Sequence, residues 1–310
     1  MITRLVFAGE ALVDQVMTVP ALPERGGDVL AASVSFEVGG GFNIMAAAAR
    51  QGLRVVYAGG HGTGRWGDLV RAALAAEGIE ALRAPDPARD TGFDVALVED
   101  SGERTFVTIL GAETPASWDE VRPGAGDVVY ISGYGLAPEG SGAILGAWAA
   151  ALPAEVPLFV DPGPLVAGIP PAVLDPVLAR CDWWSCNQRE AGLLTGSDDP
   201  AEAARRLVCR TGRADVIVRA GPDGCVMATR GPGLAADLSH IPAPAVTAVD
   251  TTGAGDAHSG VFLAGLAAGL TAGDAARRAN AAAALTVTRA GAATSPTRAE
   301  LDRFLGLSRP

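Results

Sequence analysis

The segment Asp250-Thr251-Thr252-Gly253-Ala254-Gly255-Asp256 sets two carboxylates and two hydroxyls around three small residues, just ahead of the apolar stretch Ala257–Ala268. Small residues let the main chain come close to a ligand, and successive N–H groups entering a helix N-terminus form an anion-binding nest. An aspartate at the mouth of such a nest serves as an ordinary helix cap. It also stands where a base must stand to take a proton from a hydroxyl attacking a bound phosphoryl group. Capping needs neither the second aspartate nor the two threonines. The chemistry this segment offers is proton removal by Asp256 beside an anion-binding nest, with helix capping as the plainer alternative.

The chain of 310 residues contains no lysine. This excludes a Walker A loop and the strand lysine of protein kinases. It also excludes Schiff-base chemistry on a lysine amine. Phosphate must then be held by backbone N–H groups, arginine, helix dipoles and metal. The net charge of −11 argues against a nucleic-acid or anionic-membrane partner. No run of about 18 uninterrupted apolar residues is present. The N-terminus reads as a first core strand and lacks the pattern of a signal peptide, so the expected location is cytoplasmic. Cys181, Cys186, Cys209 and Cys225 form no CxxC pair, and His61, His240 and His258 are scattered. The thiols read as free, with neither metal ligation nor disulfides expected.

The elements that must position the nest follow from periodicity. At 49% hydrophobic the chain can bury a large core. Leu5–Ala8, Val55–Ala58, Val128–Ser132, Leu158–Asp161, Trp183–Cys186 and Val216–Arg219 read as buried strands. Asn43–Gln51, Gly67–Glu77, Ser141–Ala151 and Ala201–Thr211 read as helices between them. This alternation predicts a mostly parallel sheet with helices on both faces. Val29–Val38 and Phe93–Leu110, with a turn at Asp100–Glu103, break the rhythm and predict a small antiparallel sheet acting as a lid. Helices are expected over Asp256–Ala268 and Ala272–Arg289, with a short one from Thr297.

These motifs carry a resemblance. Asp250–Asp256 is similar to the C-terminal signature of the ribokinase-like (PfkB) carbohydrate and nucleoside kinases. Gly39-Gly40-Gly41-Phe42-Asn43 resembles their N-terminal signature, Asn187-Gln188-Arg189-Glu190 their Asn-x-x-Glu motif, and Val287–Ala292 with Ser295 their terminal segment. The matches come in the family's order across nearly the whole chain.

The resemblance implies a three-layer α/β/α sandwich with a mostly parallel central sheet and a small β-sheet lid. It implies a single kinase domain over residues 1–310, with lid segments at about 29–38 and 91–110. The implied reaction is ATP-dependent phosphorylation of a primary hydroxyl of a small sugar, of the ribose or fructose type or a sugar acid. Asp256 is then the base, with Gly253, Ala254 and Gly255 as the anion hole. Asp14, Gly40, Gly41 and Asn43 bind the substrate. Asn187, Arg219, Gly221, Gly224 and Asn280 face the nucleotide, and Glu190 organises Mg²⁺ indirectly. Asp250, Thr252, Gly291 and Ser295 match the positions that hold K⁺ in relatives, and a homodimer through the lid is compatible with the family.

Met45, Val261 and Gly163 depart from the family pattern, and Gly163 replaces an asparagine near the phosphates. Arg219 stands where smaller polar residues are common, either as a phosphate contact or as a solvated charge. A nucleoside is the alternative substrate, with Phe36, Phe93 or Phe106 stacking on its base. A non-catalytic sugar sensor is the alternative of another class. Gly62-Thr-Gly64-Arg-Trp-Gly67, with Asp86 downstream, also satisfies the dinucleotide fingerprint. It lies in the second strand–helix unit, and the family reading makes it a turn near the substrate.

Overall fold

The computed structural model describes residues 1–230 and 236–307. The chain begins with β1 (Arg4–Ala8), β2 (Ala11–Val19), β3 (Ser33–Gly40), α1 (Phe42–Arg50), β4 (Arg54–Tyr57), α2 (Arg65–Ala76) and β5 (Glu80–Ala81). It continues through β6 (Phe93–Glu99), β7 (Arg104–Ile109), β8 (Asp127–Ser132), α3 (Gly133–Leu136), α4 (Ser141–Ala150), β9 (Leu158–Asp161) and α5 (Pro171–Arg180). Then follow β10 (Trp183–Asn187), α6 (Gln188–Thr195), α7 (Pro200–Thr211), β11 (Asp215–Arg219), β12 (Cys225–Arg230) and β13 (Ala236–Ile241). The chain closes with α8 (Ala254–Ala267), α9 (Ala272–Thr286) and α10 (Arg298–Phe304).

The two-residue period of β1 sorts the layers. Val6 and Ala8 join a core with Leu145, Val177 and Leu207, which belong to α4, α5 and α7. Leu5 and Phe7 join a second core with Met45, Leu74, Phe262 and Ala276, which belong to α1, α2, α8 and α9. Helices therefore cover both faces of a nine-stranded sheet ordered β13-β12-β11-β10-β9-β8-β1-β4-β5. Its pairings are parallel from β11 to β5, and β12 and β13 add an antiparallel edge. The three-layer α/β/α fold read from the sequence is the fold observed.

The small sheet differs in one respect from the expected antiparallel one. It has four strands in the order β3-β2-β6-β7, and β2 runs parallel to β6. The sequence reading left out β2, whose apolar run is interrupted by Asp14 and Gln15. Those two residues sit at the middle of the strand, paired with Glu37 and Phe36 of β3 on one side and with Asp94 and Val95 of β6 on the other.

Close packing of small residues fixes α8 against α1. A Cβ on Gly260 would lie 2.5 Å from the Ile44 carbonyl oxygen and 2.8 Å from the Ala47 Cβ. Below α8, Phe7, Tyr130 and Phe159 from three adjacent strands stack with centroids 5.4 Å apart, and Phe262 approaches Phe159 at 6.1 Å. The N-terminus of α8 is thereby held over the carboxyl ends of β1, β8 and β9. At this edge the chain order switches between β8 and β1, which is where open α/β sheets bind ligands. Replacing Gly260 by valine is expected to cost roughly 1–3 kcal/mol through overpacking. Urea unfolding should show the lowered midpoint, with turnover falling alongside as α1 is displaced.

Candidate active site

A cavity of about 720 Å³ opens at that edge, between the carboxyl ends of the strands and the small sheet. Asp14, Gly40, Gly41, Asn43, Asn187, Glu190, Arg219, Gly255 and Asp256 all line it. Residues spread across more than two hundred positions thus meet around one space large enough for a small ligand.

Asp256 is the third residue of α8, not its cap as the sequence suggested. Gly253 is the cap, with φ at +72°, a conformation that favours glycine. A Cβ there would also lie 2.4 Å from the Ala292 carbonyl oxygen. The Ala254 N–H turns back to Thr251 O at 3.3 Å, and neither Gly253 nor Ala254 lines the cavity. Gly255 and Asp256 do line it, and their N–H groups belong to the first turn, which has no intrahelical acceptors. Asn43 Nδ2 donates to Asp256 Oδ2 at 3.1 Å. Burial raises the Asp256 carboxyl to about 6, with Asp161 adding to the shift while Asn43 and Arg219 oppose it. A carboxylate so placed can accept a proton near neutral pH.

Arg219 is not a solvated charge. Its side chain is 13% exposed, and Nη1 donates to Asp161 Oδ2 at 2.6 Å and to the hydroxyls of Ser185 and Ser259 at 3.2 Å. Nη2 lies 3.7 Å from Glu190 Oε2. A Cβ on Gly255 would lie 3.4 Å from the Arg219 Cζ, so the guanidinium stands beside the first turn of α8. Asn187 caps α6 reciprocally with Glu190: Glu190 N–H donates to Asn187 Oδ1, and Asn187 N–H to Glu190 Oε2, each at 2.8 Å. Burial raises the Glu190 carboxyl, Asp161 adds to it, and Arg219 counters. Gly163 lines the cavity, and its N–H donates to Asp161 Oδ1 at 3.1 Å.

Opposite this charged group, Asp14 pairs across strands with Asp94. Its carboxylate lies directly over Gly39, where a Cβ would be 2.1 Å from Oδ2, which accounts for a glycine at that position. Burial raises both Asp14 and Asp94, and the Asp94 charge adds to the shift of Asp14. Glu10, at the end of β1, accepts from Ser132 Oγ at 3.1 Å and is raised by burial to about 7. Asp94, Glu10, Asp161 and Tyr134 line the cavity and were not singled out in the sequence. Glu10 had a signal, since it follows the first strand directly, whereas Asp94 and Asp161 are marked only by strand register.

Several expected residues stand outside the cavity. Asn280 is 3% exposed and donates to Ile241 O at 2.8 Å, tying α9 to β13. Gly221 and Gly224 form the turn between β11 and β12, one step beyond Arg219. In the Gly62–Gly67 segment, the Trp66 and Gly67 N–H groups donate to the Asp90 carboxylate at 3.0 and 2.8 Å. An internal carboxylate thus already satisfies the helix start that a dinucleotide would need. Asp86 accepts from Ala88 N–H and Arg89 Nε, each at 2.8 Å. Phe36 and Phe93 pack on Trp66 with centroids 5.5 Å apart, leaving Phe106 as the one of the three phenylalanines that lines the cavity.

The residues expected to hold a monovalent cation have other partners. Asp250 Oδ1 accepts from Arg104 Nη2 at 2.6 Å, and from the N–H and hydroxyl of Thr252 at 2.9 and 2.8 Å. Asp250 Oδ2 accepts from Gly291 N–H at 3.1 Å. Burial pushes Asp250 up, but these donors outweigh it and hold the carboxyl at about 2. Arg50 Nη1 donates to the carbonyl and hydroxyl oxygens of Ser295 at 2.8 and 3.3 Å. A cation needs uncompensated negative charge, and the Arg104 guanidinium compensates the Asp250 carboxylate while Arg50 occupies the oxygens of Ser295. This arrangement does not fit K⁺, and Arg104, from the small sheet, supplies the positive charge at Asp250.

Comparison with known proteins gives the family and the fold. Residues 2–299 match the model of the pfkB family of carbohydrate kinases. The chain is 35% identical to the uncharacterized sugar kinase YegV of Escherichia coli over 94% of its length and 91% of that relative. It is 29% identical to the ribokinase of Haemophilus influenzae, over 97% and 98% of the two chains. The structure of Arabidopsis thaliana ribokinase complexed with ribose and ATP superposes with a TM-score of 0.76 at 22% identity, covering 99% of this chain and 100% of that one, and supports the fold.

The chain belongs to the pfkB family of carbohydrate kinases. It is a sugar kinase.

If Arg104 supplies the charge at Asp250, replacing potassium by choline at constant ionic strength should leave the rate unchanged. Arg104→Met should lower turnover and make the remainder respond to added potassium. A wild-type rate that collapses without potassium would show that the ion displaces Arg104.

Proposed function

We propose that Asp256 is the general base for phosphorylation of a primary hydroxyl on the sugar. The observation that carries this is its position: it shares the cavity with the first-turn amides of α8 and is hydrogen-bonded to Asn43. The sugar hydroxyl attacks the terminal phosphorus of ATP as its proton passes to Asp256. The bond from that phosphorus to the bridging oxygen breaks, and ADP departs. The N–H groups of Gly255 and Asp256 offset charge that develops on the transferring group, while Gly253 and Ala254 set the turn that aims them. Arg219 adds a fixed positive charge beside them. Asp14, Asn43 and the backbone at Gly40 and Gly41 orient the sugar.

The nucleotide runs from Arg219 toward the Gly221–Gly224 turn, over Asn187, and Asn280 holds α9 in place behind it. Glu190 and Asp161 flank Arg219 and fit a magnesium site built mainly from phosphate oxygens and water, since among the described residues no three ligating side chains cluster. When bound, that ion neutralises phosphate charge. We assign residues 1–310 to one kinase domain, with β2, β3, β6 and β7 as its lid. The outer face of the lid exposes Val34, Val107 and Ile109 at 52%, 70% and 57%, an apolar surface suited to a lid-to-lid homodimer. No helix among the described residues is long and apolar enough to cross a membrane, and a cytoplasmic site of action fits the free thiols.

Phe106 at the cavity wall supports a second reading, in which the sugar belongs to a nucleoside and the ring stacks on its base. ADP release measured across sugars and nucleosides separates the two. Asp256→Asn is expected to leave ATP binding intact and to lower turnover by about 10²–10⁴-fold. Near-normal turnover in that variant would remove Asp256 from the role. Because the Asp256 carboxyl lies at about 6, the base is charged above that pH and lost below it. The profile of kcat/KM should therefore show an acid limb near pH 6 that is absent from the residual activity of the asparagine variant.

A further inference from the structure

We infer that the sugar half of the cavity selects a neutral, hydroxyl-rich substrate and rejects sugar acids, with Asp94 and Glu10 as the residues that set this preference. The inference rests on the phosphotransfer reading and narrows its substrate.

Among the described residues, Glu10 Oε2, Asn43 Oδ1 and Asp94 Oδ1 are buried side-chain atoms without a hydrogen-bond partner. All three residues line the cavity, and they are only 6%, 6% and 7% exposed. Every one of these atoms is an oxygen that seeks a hydrogen. Buried polar atoms are rarely left unpaired, so their convergence on one space describes what should fill it. The missing partner is a group of donors spaced across a small molecule, as several hydroxyls on a short carbon chain provide.

Charge points the same way. Asp14 and Asp94 are paired in register on β2 and β6, so two carboxylates share this wall of the cavity. Among the described residues lining the cavity, Arg219 is the one arginine or lysine, and it is held by Asp161 beside Gly255. Burial raises the carboxyls of Asp14, Asp94 and Glu10, so they are not all charged at once. Whichever of them is charged would repel a substrate carboxylate, and no guanidinium on this wall answers it. Protonation of Glu10 would change which partner gives the hydrogen but would create no positive charge. The hydroxyls of Tyr134 and Thr108 give or accept equally and do not discriminate.

The test pairs neutral compounds with their C1-oxidised counterparts, which keep the terminal primary hydroxyl: D-ribose with D-ribonate, D-glucose with D-gluconate, and D-galactose with D-galactonate. Each is measured as ATP-dependent ADP release and, without nucleotide, as binding by calorimetry. The neutral member should bind more tightly and show the higher kcat/KM. Asp94→Asn should weaken the neutral compound by about tenfold or more, and narrow the neutral-to-acid ratio by a similar factor. Glu10→Gln should shift the ratio in the same direction. The inference is overturned by an acid that binds as well as its neutral partner, or by a panel in which no neutral compound binds. It is also overturned by folded variants of both residues that leave KM and the ratio unchanged. Binding with the expected preference but no ADP release would sink the kinase reading and leave this inference standing.

Discussion

The site depends on the 3.1 Å hydrogen bond between Asn43 and Asp256, which joins two segments 213 residues apart. Asn43 is the second residue of α1, and Asp256 lies in the first turn of α8. Their meeting follows from helix contact, because Gly260 lets the α8 backbone come within reach of the Ile44 carbonyl. The alanines of α1 are therefore a spacing device as well as a source of helix propensity. The aromatic stack of Phe7, Tyr130 and Phe159 supports the same helix from below. A carboxylate in the role proposed for Asp256 must be placed to within a fraction of an ångström, and here the tolerance would be set by packing between two helices.

In the proposed reaction, arginine takes the place that lysine often has around phosphate. A guanidinium keeps its charge at any accessible pH and offers several donors in one plane. Arg219 uses that plane to reach Asp161, Ser185 and Ser259 at once. The neighbouring carboxyls of Asp256 and Glu10 are raised by burial into the range where they exchange protons. One kind of charge is thus permanent while the other is adjustable, and both kinds line the same cavity.

Local motifs were legible in the sequence, and cross-strand partnerships were not. The run from Asp250 to Asp256, the glycines before Asn43 and the Asn187–Glu190 box each lie within a single turn. Residue type and spacing therefore carry their geometry. The β2–β6 register that sets Asp94 beside Asp14 joins positions eighty residues apart, and β2 itself was hidden by its polar middle. The end of α9 was placed too late, at Arg289. The helix stops at Thr286, and the Val287 carbonyl accepts the N–H groups of Val249 and Asp250 at 2.7 and 3.1 Å. The Arg104–Asp250 pair was likewise unreadable, since nothing in the chain around Arg104 points to a partner 146 residues away. Arg219 was visible as an oddity, but its burial could not be seen without Asp161.

The ion pair between Arg104 and Asp250 spans the boundary between the small sheet and the body, and the Ala292 N–H adds a 3.3 Å bond to Glu37 of β3. Any outward swing of the small sheet must separate that arginine from that aspartate. Dissolved salt screens partly exposed pairs of this kind and lowers the work of parting them. If the small sheet swings outward, ionic strength would act on how readily the cavity is uncovered, through a residue that does not line it. The rate at which sugar is captured and the rate at which phosphate moves would then respond to salt independently.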